Sequence, residues 1–72
     1  MKVYREDDFK AEVEVLKDES DAQWARFTLR VVRTLRASKI YKPTPDGEVF
    51  SVDRKKDAHW GGMWTIRDEV SA

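Results

Sequence analysis

Residues 24–35 read WARFTLRVVRTL, and the fold turns on whether they form a strand or a helix. As a strand, whose alternate side chains point to opposite faces, Ala25, Phe27, Leu29 and Val31 share one side and Arg26, Thr28 and Arg30 the other. As a helix advancing about 100° per residue, Trp24, Phe27, Val31 and Leu35 form one stripe and Arg26, Arg30 and Arg33 the opposite one. Ser20 and Gln23 have the spacing of a capping box for that helix. Residue type favours the strand, because Thr28, Val31, Val32 and Thr34 are β-branched and Trp24 and Phe27 are aromatic.

Context favours it too. In residues 9–15, FKAEVEV, every odd position is apolar and every even one charged, the pattern of a half-buried strand. The polar stretch 17–21 then makes a hairpin loop, and the two apolar faces can share one core. The alternative is a β-α-β-β unit with residues 21–38 helical. Alternation carried to Leu35 would turn Arg33 inward, and a bulge near Val31-Val32 removes that conflict.

Beyond this hairpin, Ile40 and Tyr41 anchor a connection to the core. Thr44-Pro45-Asp46-Gly47 reads as a tight turn with Pro second and Gly fourth. Residues 48–52 form the next strand, 53–57 a charged loop and 63–66 a last strand, after which Arg67, Asp68 and Glu69 return to solvent. This gives four strands, or five if the long second one breaks. The expected architecture is all-β: a small antiparallel barrel of the OB or SH3-like kind, a resemblance of architecture and not of family. Residues 1–72 make one domain, with 1–7 and 69–72 as frayed ends.

HWGGMW, residues 59–64, carries two of the three tryptophans. A period of two places Trp60, Gly62 and Trp64 on one face, whereas a turn at Gly61-Gly62 breaks that relation. Trp64, with Ile66 on its side, reads as a core anchor, and Trp60 as the candidate contact residue.

Composition limits the function. The 72 residues are 39% charged and 40% hydrophobic, with three Trp, two Tyr and three Phe, enough large side chains for a compact fold near the lower size limit. There is no cysteine for a disulfide or thiolate metal site, which fits a reducing compartment. Residues 1–9, MKVYREDDF, lack the apolar run of a signal peptide, and no segment has the roughly 20 apolar residues of a membrane span. The expectation is a cytoplasmic protein with no membrane partner.

The zero net charge hides an asymmetry. Residues 1–21 hold eight acids against four bases, and residues 22–61 nine bases against four acids. On adjacent strands such segments neutralise each other; on separate faces the basic one suits an anionic partner.

Catalytic chemistry finds few parts. His59 is the single histidine, Ser20, Ser38, Ser51 and Ser71 sit in no nucleophile context, and Glu12 and Glu14 lie on the solvated face of an alternating strand. His59 with Asp53 or Asp57 lacks metal-site spacing, and Gly61-Gly62 precedes a strand-like segment instead of a phosphate-holding helix. The expectation is a non-catalytic module without cofactor or metal, binding another protein or a second copy of itself. The alternative is single-stranded nucleic-acid binding through Arg26, Arg30, Arg54, Lys55 and Lys56 beside an aromatic among Trp24, Tyr41 and Trp60. The candidate contact residues common to both readings are Trp60, Arg26, Arg30, Arg54, Lys55 and Lys56.

Overall fold

The computed structural model describes residues 1–40, 44–56 and 64–70. Its five strands are β1 (Lys2–Glu6), β2 (Phe9–Asp18), β3 (Trp24–Arg36), β4 (Val49–Lys55) and β5 (Thr65–Asp68). They form one antiparallel sheet in the order β4-β3-β2-β1-β5. The first four strands are a meander, and β5 returns to pair with β1. The Cα radius of gyration, 12.1 Å, is close to the roughly 11 Å expected of a compact chain this long.

Residues 24–35 are strand, and the helical alternative for 21–38 is overturned. Ala25, Phe27, Leu29 and Val31 do share the core face. The register of β3 on β2 then slips three times. Glu12 pairs with Arg33 and Val13 with Val31, skipping Val32; Lys10 pairs with Arg36 and Ala11 with Thr34, skipping Leu35; and on β2 the partners of Leu29 and Thr28 are Val15 and Lys17, skipping Leu16. The first slip lies where Arg33 demanded it and returns Arg33 to the outer face. The three skipped residues are exposed apolar ones, Leu16 (42%), Val32 (43%) and Leu35 (37%). Each is the extra residue of a bulge, which has no partner opposite and bends and twists the strand it sits in.

The fifth strand does not come from breaking the long one. Residues 2–6, read as part of a frayed end, form a strand held on both sides, with Tyr4 opposite Ala11 of β2 and Ile66 of β5. Val3 and Tyr4 are adjacent and both buried, so β1 shows no alternation: Tyr4 joins the core, while Val3 lies on the other face between Glu12 and Arg67 in register. The end of β5 is likewise tied, since Met1 and Glu69 exchange backbone hydrogen bonds of 2.8 and 2.9 Å and Lys2 pairs with Asp68 at 2.9 Å.

The connections use local polar chemistry. Asp7 between β1 and β2 has φ 52°, a left-handed conformation that Asp tolerates. In the β2–β3 loop the Asp21 carboxylate accepts the Gln23 and Trp24 amides, both at 2.8 Å, and the Ser20 hydroxyl accepts the Arg26 amide at 2.9 Å. The turn before β4 lies one residue later than its sequence signature: the Glu48 amide donates to the Pro45 carbonyl at 3.2 Å, so Gly47 is third in the turn, with φ 86°. That φ is why glycine stands there.

The core comprises Tyr4, Ala11, Val13, Leu29, Val31 and Trp64, with Phe9, Phe27, Phe50, Val52 and Ile66 among the side chains packed on it. Leu29 and Val31 are fully buried, worth about 1.5–3 kcal/mol each. Trp64 stacks on Tyr4 at 6.1 Å, meets Phe27 edge-on at 5.9 Å, and its indole Nε1 donates to the Asp53 carbonyl of β4 at 3.2 Å. Among the described residues β4 and β5 share no ladder, so this residue, immediately before β5, links the two outer strands.

Candidate functional site

The structure divides the basic residues proposed from sequence. Strand β4 runs on through Asp53, Arg54 and Lys55, which pair with Arg26, Ala25 and Trp24, so the first three residues of the expected 53–57 loop are strand. Alternation then separates neighbours. Arg54 follows Phe50 and Val52 on the core side, and its guanidinium lies 5.2 Å from the centre of the Trp64 ring. Its Nε is buried with no hydrogen-bond partner among the described residues. The long aliphatic stem and planar head let arginine occupy such a position, so Arg54 belongs to the core rim and not to a basic loop.

On the opposite face Trp24, Arg26 and Lys55 come together. The Arg26 guanidinium sits 5.3 Å from the Trp24 ring centre, and Lys55 is the register partner of Trp24. Asp53 stands opposite Arg26. Two steps along, Arg30 is bound to Glu14, and Arg33 reaches Glu12 at 2.9 Å. The acidic β2 and basic β3 thus neutralise each other across the ladder, and Glu12 and Glu14, on the solvated face as expected, pair with Arg33 and Arg30. Exposed pairs of this kind add only about 0–1 kcal/mol, but they occupy the arginines. Lys56 follows β4, where its amide donates to the Gln23 carbonyl at 2.8 Å. Trp60, His59, Tyr41, Asp57 and Gly61-Gly62 lie outside the described residues.

Three carboxylates have lowered pKa values from hydrogen bonding. Asp8 accepts the Ser38 hydroxyl at 2.6 Å and the Lys39 amide at 2.8 Å, Asp18 is held down by Ser20, and Asp21 by the Gln23 and Trp24 amides. All three fasten loops. Among the described residues no three His, Cys, Asp or Glu side chains converge as a metal site, and no helix is long and apolar enough to cross a membrane.

A second site was not legible in the sequence. Tyr4, Glu6 and Phe9 from the first hairpin meet Thr44, Glu48 and Phe50 around an open cleft of about 220 Å³. The rings are mutually tilted: Tyr4 and Phe9 lie 6.2 Å apart at 60°, and Tyr4 and Phe50 5.2 Å apart at 76°. The Tyr4 hydroxyl donates to the Glu6 carboxylate. Backbone contacts fix the other wall, because Val31 donates to the Glu48 carbonyl at 2.9 Å and the Thr34 hydroxyl to the Thr44 carbonyl at 3.4 Å. Among the described residues no lysine or arginine lines the cleft, and neither Glu6 nor Glu48 has an ion-pair partner. On the other side of β1 a larger hollow, about 440 Å³, mixes charges: Arg5, Lys10 and Arg67 with Asp7 and Glu69, of which Lys10 and Glu69 pair at 3.4 Å.

Comparison of the chain with protein-family models, curated proteins and solved structures finds no match to any of them.

Proposed function

We propose that this chain is a non-catalytic protein-interaction module, a small SH3-like barrel in which Trp64 forms the seam between β4 and β5. The strand order, the three bulges and the indole bond to β4 support that finer description of the fold. The binding reading rests on one observation: the cleft between the first hairpin and β4 has aromatic walls and two carboxylates without ion-pair partners among the described residues. Its 220 Å³ is below the roughly 300 Å³ at which pockets for whole small molecules begin, and suits one side chain of a partner. A cytoplasmic setting fits the lack of cysteine.

Selection of peptides from a random displayed library on the folded protein tests this. Enriched peptides should shift the amides of Tyr4, Phe9 and Phe50 and lose binding to Phe50→Ala. Enrichment of peptides that map elsewhere, or no enrichment, would overturn the reading.

The cluster of Trp24, Arg26 and Lys55 favours a second reading, a stacking platform for single-stranded nucleic acid. Against it, Arg30 is already paired and Asp53 faces Arg26. Titration with a short single strand at low salt, read at the Arg26 and Lys55 amides and repeated with added salt, decides it. No response at low salt removes this reading.

A further inference from the structure

We infer that the cleft between the first hairpin and β4 receives an alkylated ammonium group, carried on a lysine side chain of the partner polypeptide. This rests on the interaction reading and names its ligand. Three features of the cleft converge on a cation. Two half-buried rings, Phe9 and Phe50, stand at 60° and 76° on the buried Tyr4 ring, so the walls are not parallel, and aromatic faces attract cations through their quadrupole. Glu6 and Glu48 place two negative charges at the same opening, and no basic residue lines it among the described residues.

The third feature is the apolar lining, which selects among cations. A bare ammonium is compact and strongly hydrated, and the rings offer little to replace its water. Methyl groups on the nitrogen spread the charge, reduce the hydration lost on entry and match the aromatic walls. The Tyr4 hydroxyl holds Glu6 in place before any ligand arrives. Glu48 is exposed, free to follow the charge, and anchored through its backbone to Val31.

Four probes test the inference, each titrated into the isotope-labelled protein and followed at the Tyr4, Phe9, Glu48 and Phe50 amides. They are a glycine-flanked peptide carrying Nε-trimethyl-lysine, the same peptide with unmodified lysine, the same peptide with the neutral tert-butyl isostere, and choline. The trimethyl-lysine peptide should bind at least about tenfold more tightly than the isostere, a ratio equal to 1.4 kcal/mol. It should also exceed unmodified lysine and choline, and bind Glu48→Gln about fivefold more weakly, as expected for a rim charge. Glu48 lies on the surface, so this variant keeps the fold, and its circular dichroism should match the parent. Equal binding of the isostere would make the cleft an apolar slot, overturning the cation while leaving the interaction module standing. Choline binding as tightly as the peptide would assign a small-molecule site and overturn the polypeptide source. Silence from all four probes would overturn the inference, while the library selection would still judge the broader reading.

Discussion

Replacing Trp64 by alanine should remove a large part of the stability of the domain. At about 0.05–0.15 kcal/mol per residue, 72 residues have roughly 4–11 kcal/mol in total. The buried indole contacts Tyr4, Phe27 and Arg54 and bonds to the Asp53 carbonyl. A buried Trp→Ala change costs about 3–5 kcal/mol, so Trp64→Ala should lose from roughly a third of that stability to all of it. Trp64→Phe separates the contributions. It keeps a ring against Tyr4 but loses the hydrogen bond, about 1 kcal/mol, and part of the ring contact, about another 1 kcal/mol. Urea denaturation followed by far-UV circular dichroism, which does not depend on tryptophan fluorescence, measures both. With a slope near 1 kcal/mol/M, Trp64→Phe should lower the midpoint by about 2 M. A Trp64→Ala variant that lost less than about 1 kcal/mol, outside the range for buried aromatics, would refute the role of this residue as the link between β4 and β5.

Val31 and Val32 should respond unequally to the same change: Val31→Thr, in the core, should cost about 1–3 kcal/mol through a buried hydroxyl, whereas Val32→Thr, at a bulge, should stay within about 0.5 kcal/mol, both read from urea midpoints. Gly47→Ala should cost about 1–2 kcal/mol by the same measurement, entirely from the backbone, because a Cβ there meets nothing within 4 Å while φ is 86°. Asp8, Asp18 and Asp21 all have folded pKa values below their unfolded ones, so the unfolded chain binds more protons in that window. Their contribution is complete above about pH 4, the unfolded value, and is lost as pH falls through the lowered folded values; the urea midpoint should decline there, and less steeply in the triple Asp→Ala variant.

The hairpin of β2 and β3 could be read from residue spacing because its two strands each cover a core with one face only. The contradiction at Arg33 even located a bulge. Strand β1 was hidden for the opposite reason: Val3 and Tyr4 bury on different faces, and a strand covered on both sides loses its alternation. Charge concealed the end of β4, where Arg54 looks like loop composition but lays its guanidinium on Trp64. The aromatic cleft depends on Tyr4, Phe9 and Phe50, which lie in three strands; no local motif connects them, and only the register of the sheet brings them together. Neutralisation of β3 by β2 was legible as an imbalance between segments, but the pairing of Arg30 with Glu14 needed the observed register.

The two backbone bonds between Met1 and Glu69 span 68 positions of the chain. Pairing of β1 with β5 therefore closes the longest loop among the described strand pairs, and contacts of such separation slow folding, since loop entropy is lost before the contacts form. A circular permutant that joins the two ends and opens the chain between Glu19 and Gln23 would turn that pairing into a local hairpin. It would make β2 and β3 the distant pair instead, with the same sheet and core. Its folding rate, compared with the parent's, would report whether the β2–β3 ladder or the β1–β5 closure sets the barrier.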